Sequence, residues 1–529
     1  KTNGAIISVP AVNVPGYILL DNTCLGCTTR TTTSTAATNG EAISITGALS
    51  AGTLAGSTGI TINSVANGMG VGFKLGALAI SSSAGGVSIT AKSQTGTAYY
   101  STGNITATGQ AIAIDTTTTT AAGINDTGTL NGGVITLTST QSTSTATATP
   151  ITATGTITAN SLSISATGGT STTIVSLGAM TLNAGGSNIS VTANNAAAGA
   201  NTGITQTGAI TNNAVGSNIS FVSNHKINQT GAMTLVANSG VASANIVYDT
   251  TTGTNASSIT TGSLTVPSGS TSAINYLVKS NGGIISVPAI AVPGYILLDN
   301  TCLGCATRAT ATTAFLNGAG ITITGALSAG ALAGTTGISI NAVANGSGIG
   351  FTQGALAMSS LAGGVAITAN SQTGIAYSST GNITAAGQAI TISTTTTTAA
   401  GISDTGTING GAVTLTSTQS TSTATTTPIT ATGLVTANSL TVSGSGGAST
   451  TIVSLGAITI NAGGGNISVT ANNAAAGSNT GITQTGAITN NAASSNISFT
   501  SNNLINQTGA IALVANTGAP AANVIYDTT

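Results

Sequence analysis

Along most of the chain, apolar and polar residues alternate in short runs. Ile112-Ala-Ile114, Ile189-Ser-Val191 and Ile219-Ser-Phe221 each place every second residue on one side. A period of two is the signature of a strand with one buried and one exposed face. A coarser rhythm overlies it, in which a glycine is followed two positions on by an apolar residue. It runs Gly47/Leu49, Gly76/Leu78, Gly103/Ile105, Gly128/Leu130, Gly155/Ile157, Gly178/Met180, Gly208/Ile210, Gly231/Met233 and Gly262/Leu264. The gaps are unequal but all fall near the short end of the periods that mark solenoid repeats. Such a repeat holds two or three short strands, too little chain for a crossover helix, and no helical period is evident. The economical solution is one coil per repeat, with equivalent strands stacked in parallel. The spacing predicts an all-β, right-handed parallel β-helix (a β-solenoid) of about ten coils per copy, taking about 4.8 Å per coil and the usual hand of parallel crossovers. Ile, Val, Leu and Ala should fill the interior in rows of like residues. The glycines are expected at corners, where the backbone often needs positive φ.

A second level of repetition is exact. Tyr17-Ile-Leu-Leu-Asp-Asn-Thr-Cys-Leu-Gly-Cys27 returns as Tyr295-Ile-Leu-Leu-Asp-Asn-Thr-Cys-Leu-Gly-Cys305. The same offset carries Lys1 to Lys279, Asp126 to Asp404 and Asp249 to Asp527 without a gap. The chain therefore divides into copy one, 1–278, and an incomplete copy two, 279–529, expected to form one continuous rod. Both ends lie on repeat-like sequence, and the expectation is that further coils or another subunit continue the stack.

Composition sharpens this picture. Only 3% of residues are charged and 2% aromatic, the net charge is −1, and mean hydropathy is +0.40. Disorder usually combines low hydrophobicity with high charge, the opposite of this balance. Seven basic residues spread over 529 cannot build a phosphate-neutralising patch, which argues against nucleic acid. No apolar run reaches the length of a membrane helix. A near-neutral surface favours self-association, so the expected partners are further copies of the chain, end to end and laterally.

The patterns Thr102-Gly-Asn-Ile-Thr-Ala-Thr-Gly-Gln-Ala-Ile-Ala-Ile114 and Gln206-Thr-Gly-Ala-Ile-Thr211 resemble the repeats of filamentous haemagglutinin-like exoproteins and related large bacterial surface adhesins. That resemblance covers most of the chain. It implies a right-handed parallel β-helix, export through an outer membrane, an extracellular or cell-surface location, and a role in adhesion or surface filaments, with a host-cell or surface glycan or protein as receptor.

Candidate chemistry is sparse. Cys24, Cys27, Cys302 and Cys305 form two Cys-x-x-Cys motifs. Thr28 and Ala306 follow them where a c-type haem would need His. In an exported protein these are disulfide candidates, within each motif or to a neighbouring chain. Asp21 and Arg30, and Asp299 and Arg308, flank the motifs as local ion pairs, worth at most about 1 kcal/mol if exposed. A sugar-cleaving enzyme needs paired carboxylates, yet Glu41 and Asp115 become Ala319 and Ser393 in copy two, and the lone His225 becomes Asn503. No cofactor, metal or catalytic residue is assigned. The runs Thr116–Thr120 and Thr394–Thr398 admit ice binding or O-linked sugars, and Asn104 and Asn188 begin N-glycosylation sequons. The simpler reading is that Thr suits exposed strands, since unequal coil lengths should spoil a lattice-matched face. The expectation is a structural or adhesive fibre segment, with a polymerised filament or sheath subunit as alternative and a glycan-cleaving enzyme as a weaker one.

Overall fold

The computed structural model describes residues 1–24, 31–196, 201–253, 256–303, 305, 309–474, 479–514 and 521–528. They fall into two compact units, Lys1–Ser270 and Thr271–Thr529. Among the described residues there is no helix. Each unit is a parallel β-solenoid in which one coil contributes three strands. A typical coil of the first unit runs Tyr99–Ser101, Asn104–Ala107 and Ile112–Thr118, and the next Ile124–Asp126, Leu130–Gly132 and Val134–Gln141. Like strands of successive coils pair in parallel, as Ile112–Thr118 does with Val134–Gln141 along its whole length.

Three sheets result in each unit. The first and second are built from short strands, and the third from longer ones such as Thr58–Ala66. The second sheet has ten strands in the first unit, from Val12–Val14 to Leu264–Thr265, and nine in the second unit, from Ile290–Val292 to Ile511–Leu513.

The period-two alternation decides which side of each strand faces in. Ile112, Ile114, Thr116 and Thr118 are buried, while Asp115 between them is exposed. Register then aligns the inward residues of successive coils into rows. In the long sheet Ile62, Ile89, Ile114, Leu137, Ile164, Val191 and Phe221 form one such row. Burying an Ile or Leu side chain fully stabilises by roughly 1.5–3 kcal/mol, and here that burial is supplied by the coils on either side. The dependence is visible in one pair of equivalent residues. Tyr248 is 1% exposed, whereas Tyr526 in the last described coil is 49% exposed. Scarce aromatics are used in the same way, stacking across coils as Phe73 on Tyr99 and Phe221 on Tyr248, with centroids 5.5 and 5.4 Å apart.

The landmark glycines have a different cause from the one their spacing suggested. None of the nine has positive φ. All but Gly76 stand where the backbones of successive coils touch, at the corner before the second sheet. A Cβ added at Gly128 would overlap the carbonyl oxygen of Gly103, and one at Gly155 that of Gly128. Only hydrogen fits between such carbonyls, so close approach fixes the residue type. Positive φ is met by other turn glycines, including Gly109 and Gly185. One landmark also shifts: Ile80, not Leu78, pairs with Leu49 and Ile105 in the second sheet. Both lie on the same alternation, and the sequence does not mark where the strand begins.

Asparagines rivet another corner. Asn188 Oδ1 accepts the Asn218 N–H at 2.8 Å, and Asn218 Oδ1 accepts the Asn245 N–H at 2.8 Å. Asn466, Asn496 and Asn523 repeat the ladder in the second unit. The amide oxygen of the Asn104 sequon likewise accepts the Thr129 N–H at 3.0 Å.

Register in the long sheet shifts at Thr58/Ile60 and at Thr336/Ile338, but from Ile390–Thr396 to Ile467–Asn473 the unequal coil lengths do not disturb its outer face. Thr391 pairs with Thr414, Thr414 with Thr441, and Thr441 with Ser468, without a slip. The extra residues sit at the corners, where a loop can lengthen without shifting the strands it joins.

Candidate functional site: cysteine loops and threonine grooves

The duplicated stretch is organised by its Asp-Asn-Thr triplet. Asp21 closes the long-sheet strand Ile18–Asp21 and is completely buried. Its Oδ1 accepts the Thr23 N–H at 2.7 Å and the Thr23 hydroxyl at 2.8 Å, a turn that aspartate makes readily. The next residue ties the turn to the following coil. Asn22 Nδ2 donates to the Val65 carbonyl at 3.0 Å, and its Oδ1 accepts the Val65 N–H at 2.8 Å. Asp299, Thr301, Asn300 and Val343 repeat these contacts. In addition, Asp299 Oδ2 accepts the Leu303 N–H at 2.9 Å. The triplet thus fixes where the cysteine loop leaves the solenoid.

Cys24 and Cys302 begin that loop with φ of 55° and 53°. A left-handed conformation at a residue bearing a side chain costs on the order of 1 kcal/mol or more and needs surrounding support. In the second unit, Cys302 is bonded to Cys305, with Cα atoms 5.5 Å apart. The partner expected for Cys24, Cys27, lies outside the described residues, as do Arg30 and Arg308. Asp21 and Asp299 accept backbone N–H groups, and the pairing expected with those arginines lies outside the described residues. The clue was present in the Asp-x-Thr spacing, which encodes a turn as well as a charge.

Beside each loop lies a groove over the outer face of the long sheet. In the first unit it measures about 500 Å³ and is walled by Thr23, Thr31, Asn63, Thr90, Lys92 and Thr117, among others. In the second it measures about 490 Å³, and Thr301, Ala309, Thr368, Asn370 and Thr395 occupy equivalent places. Most of the lining residues in both are threonine, serine or asparagine, which present methyl and methylene groups as well as hydroxyls and amides.

The carboxylates do not converge in either groove. Asp115 points outward from the long sheet, whereas Asp126 points inward from the first sheet. Glu41 pairs with Lys74 at a part-exposed position, and that contact lowers its pKa. Asp249 accepts the Thr251 N–H at 2.7 Å, as Asp21 does for Thr23. His225 is buried, and its backbone N–H donates to the Ser223 hydroxyl at 3.1 Å. Asn503 keeps that backbone bond with Ser501.

Asp126 and Asp404 are the unusual titratable groups, each 1% exposed within the solenoid. Burial raises Asp126 from 3.8 to about 6, opposed by the Gly128 N–H that its Oδ1 accepts at 2.9 Å. Burial raises Asp404 to about 7, opposed first by the Gly406 N–H. Burial likewise pushes up the phenols of Tyr99 and Tyr377. The Tyr377 hydroxyl donates to Asp404 Oδ2 at 3.4 Å. In the first unit Ser101 and Tyr99 also lower the Asp126 pKa, although neither Asp126 Oδ2 nor the Tyr99 hydroxyl makes a hydrogen bond of ordinary length. Both aspartates sit inside the coils, so they bear on stability rather than on a ligand.

With known proteins, the chain shows no match to any family model, any curated protein or any solved structure.

Proposed function

We propose that the chain is a structural and adhesive fibre segment of an exported bacterial repeat protein, displayed at the cell surface. The observation that carries this reading is the division of labour across the long sheet. Its inner side is apolar rows that stabilise only when coil lies on coil, while its outer side is nearly charge-free hydroxyl. In the second unit the five strands from Gly364–Ser371 to Ile467–Asn473 place no charged residue outward. Stacking of this kind builds length from a short repeat. A neutral polar face packs against like faces or against a surface without charge repulsion. The function is then mechanical, and the partners are further copies of the chain and a surface receptor.

Two measurements test it. Oriented fibres of the protein should give an axial X-ray reflection at about 4.8 Å, the spacing of stacked strands. Antibody against the chain should label intact producing cells. Labelling that appears only after the cells are permeabilised would overturn the assignment to the surface.

A further inference from the structure

We propose that each groove binds one sugar of a neutral polysaccharide laid across the outer face of the long sheet. This deepens the adhesive reading and rests on it. Three observations carry the proposal. The groove recurs in both units at nearly the same volume, although Thr31 and Lys92 of the first become Ala309 and Asn370 in the second. The void therefore survives changes in its own lining. Its size falls within the range of roughly 300–1,000 Å³ found for small-ligand sites.

The lining selects the chemistry. Threonine hydroxyls both donate and accept, and so do sugar hydroxyls, so the two can pair in either sense. Among the described residues Lys92 is the one charged group lining the first groove, and its replacement by Asn370 leaves none in the second. Among the described residues, recognition of an anion by charge-assisted bonds is therefore not shared by the two grooves, whereas recognition of a neutral polyol is. Among the described residues no aromatic ring lines either groove, which disfavours flat apolar ligands.

The third observation is continuity. Thr368 and Thr395 line the second groove and also stand on the outward face. From Thr395 the row continues through Thr418 and Ser445 to Asn472 in unbroken register. A chain seated in the groove thus meets a hydroxyl or amide at each coil, about every 4.8 Å. These groups stand on strands, and the Asp299-Asn300-Thr301 bonds anchor the segment leading into the loop, so little ordering is needed on binding.

The test is calorimetric titration of the full chain with cellohexaose, maltohexaose and β-1,4-mannohexaose, with a heparin-derived hexasaccharide as the anionic comparison. At least one neutral hexasaccharide should bind, and more tightly than the anionic one. A quadruple variant, Thr90→Val, Thr117→Val, Thr368→Val and Thr395→Val, keeps shape and strand propensity while removing four hydroxyls. It should bind at least about tenfold more weakly, with an unchanged circular dichroism melt. If the variant melts early, Asn370→Leu alone supplies the comparison, with the loss confined to the second groove. The proposal is overturned if none of the neutral sugars binds, if the anionic one binds as tightly, or if the folded variant binds like the parent. Should cells still display the chain in filaments while no sugar binds, the glycan site falls and the fibre reading stands.

Discussion

Replacing Asp126 with Asn changes one atom in the middle of the solenoid and should make the protein more stable at neutral pH. The carboxyl is 1% exposed, and its register neighbours are Ser101 and Ala153, neither of them cationic. Folding therefore favours the protonated form, which raises its pKa from 3.8 to about 6. A raised folded-state value means that this contribution to stability is fully present below pH 3.8. It is lost as pH climbs through about 6. A pKa difference of one corresponds to about 1.36 kcal/mol, so ionisation costs about 3 kcal/mol once pH exceeds the folded value. For Asp404, raised to about 7, the same conversion gives about 4 kcal/mol.

Asparagine keeps an Oδ1 for the Gly128 N–H and places an amide beside the Tyr99 oxygen, where Oδ2 lacks a partner. Urea denaturation of the parent and of Asp126→Asn, Asp404→Asn and the double variant, from acid to mildly alkaline pH, isolates the effect as a difference at each pH. The Asp126→Asn variant should match the parent at the acid end, gain on it as pH rises from about 3.8 to about 6, and keep a constant advantage above that. Asp404→Asn should begin to diverge at the same pH but go on gaining to about pH 7 and reach the larger plateau, following its higher folded-state value. A difference that is flat with pH, or a parent more stable at the alkaline end, would refute the assignment of buried carboxylates whose hydrogen bonds fall short of offsetting their burial.

Other perturbations read different parts of the coil. Gly155→Ala forces a methyl against the Gly128 carbonyl and should cost about 1–3 kcal/mol as overpacking does. Gly185 has φ of 73° with open space around it, so Gly185→Ala should cost about 1 kcal/mol from the backbone alone; thermal melts that rank the two the other way would remove the close-approach argument. Gln229 donates to the Gln206 side chain at 3.1 Å and accepts from the Tyr248 hydroxyl at 3.0 Å. Gln229→Leu strands these buried partners and should lower stability by about 1–3 kcal/mol, while an unchanged melt would show that they re-pair. The Cys302–Cys305 bond closes only a very short loop, so Cys302→Ser should cost no more than about 2 kcal/mol. Hydrogen exchange should then quicken in the cysteine loop and remain unchanged in the strand Thr336–Ala344 that follows it.

How far the sequence determined this molecule depends on the range of the forces involved. Alternation is local, so Ile112-Ala-Ile114 announced its strand and its buried face without help. The spacing of the repeats required parallel stacking, because so short a stretch of chain has room for little else. What alternation does not carry is the contact between one coil and the next. Gly128 is explained by the carbonyl of Gly103 on the preceding coil, and the buried Asp126 lies beside Tyr99 of that same coil. Neither neighbour is marked in the local pattern. Asp21 and Asn22 show the same limit: one makes a short-range turn that the Asp-x-Thr spacing encodes, while the other reaches across to Val65 on the next coil. The grooves belong wholly to the tertiary structure, since each is walled by residues of one coil, such as Thr23 and Thr31, together with strand residues of later coils, such as Thr90 and Thr117.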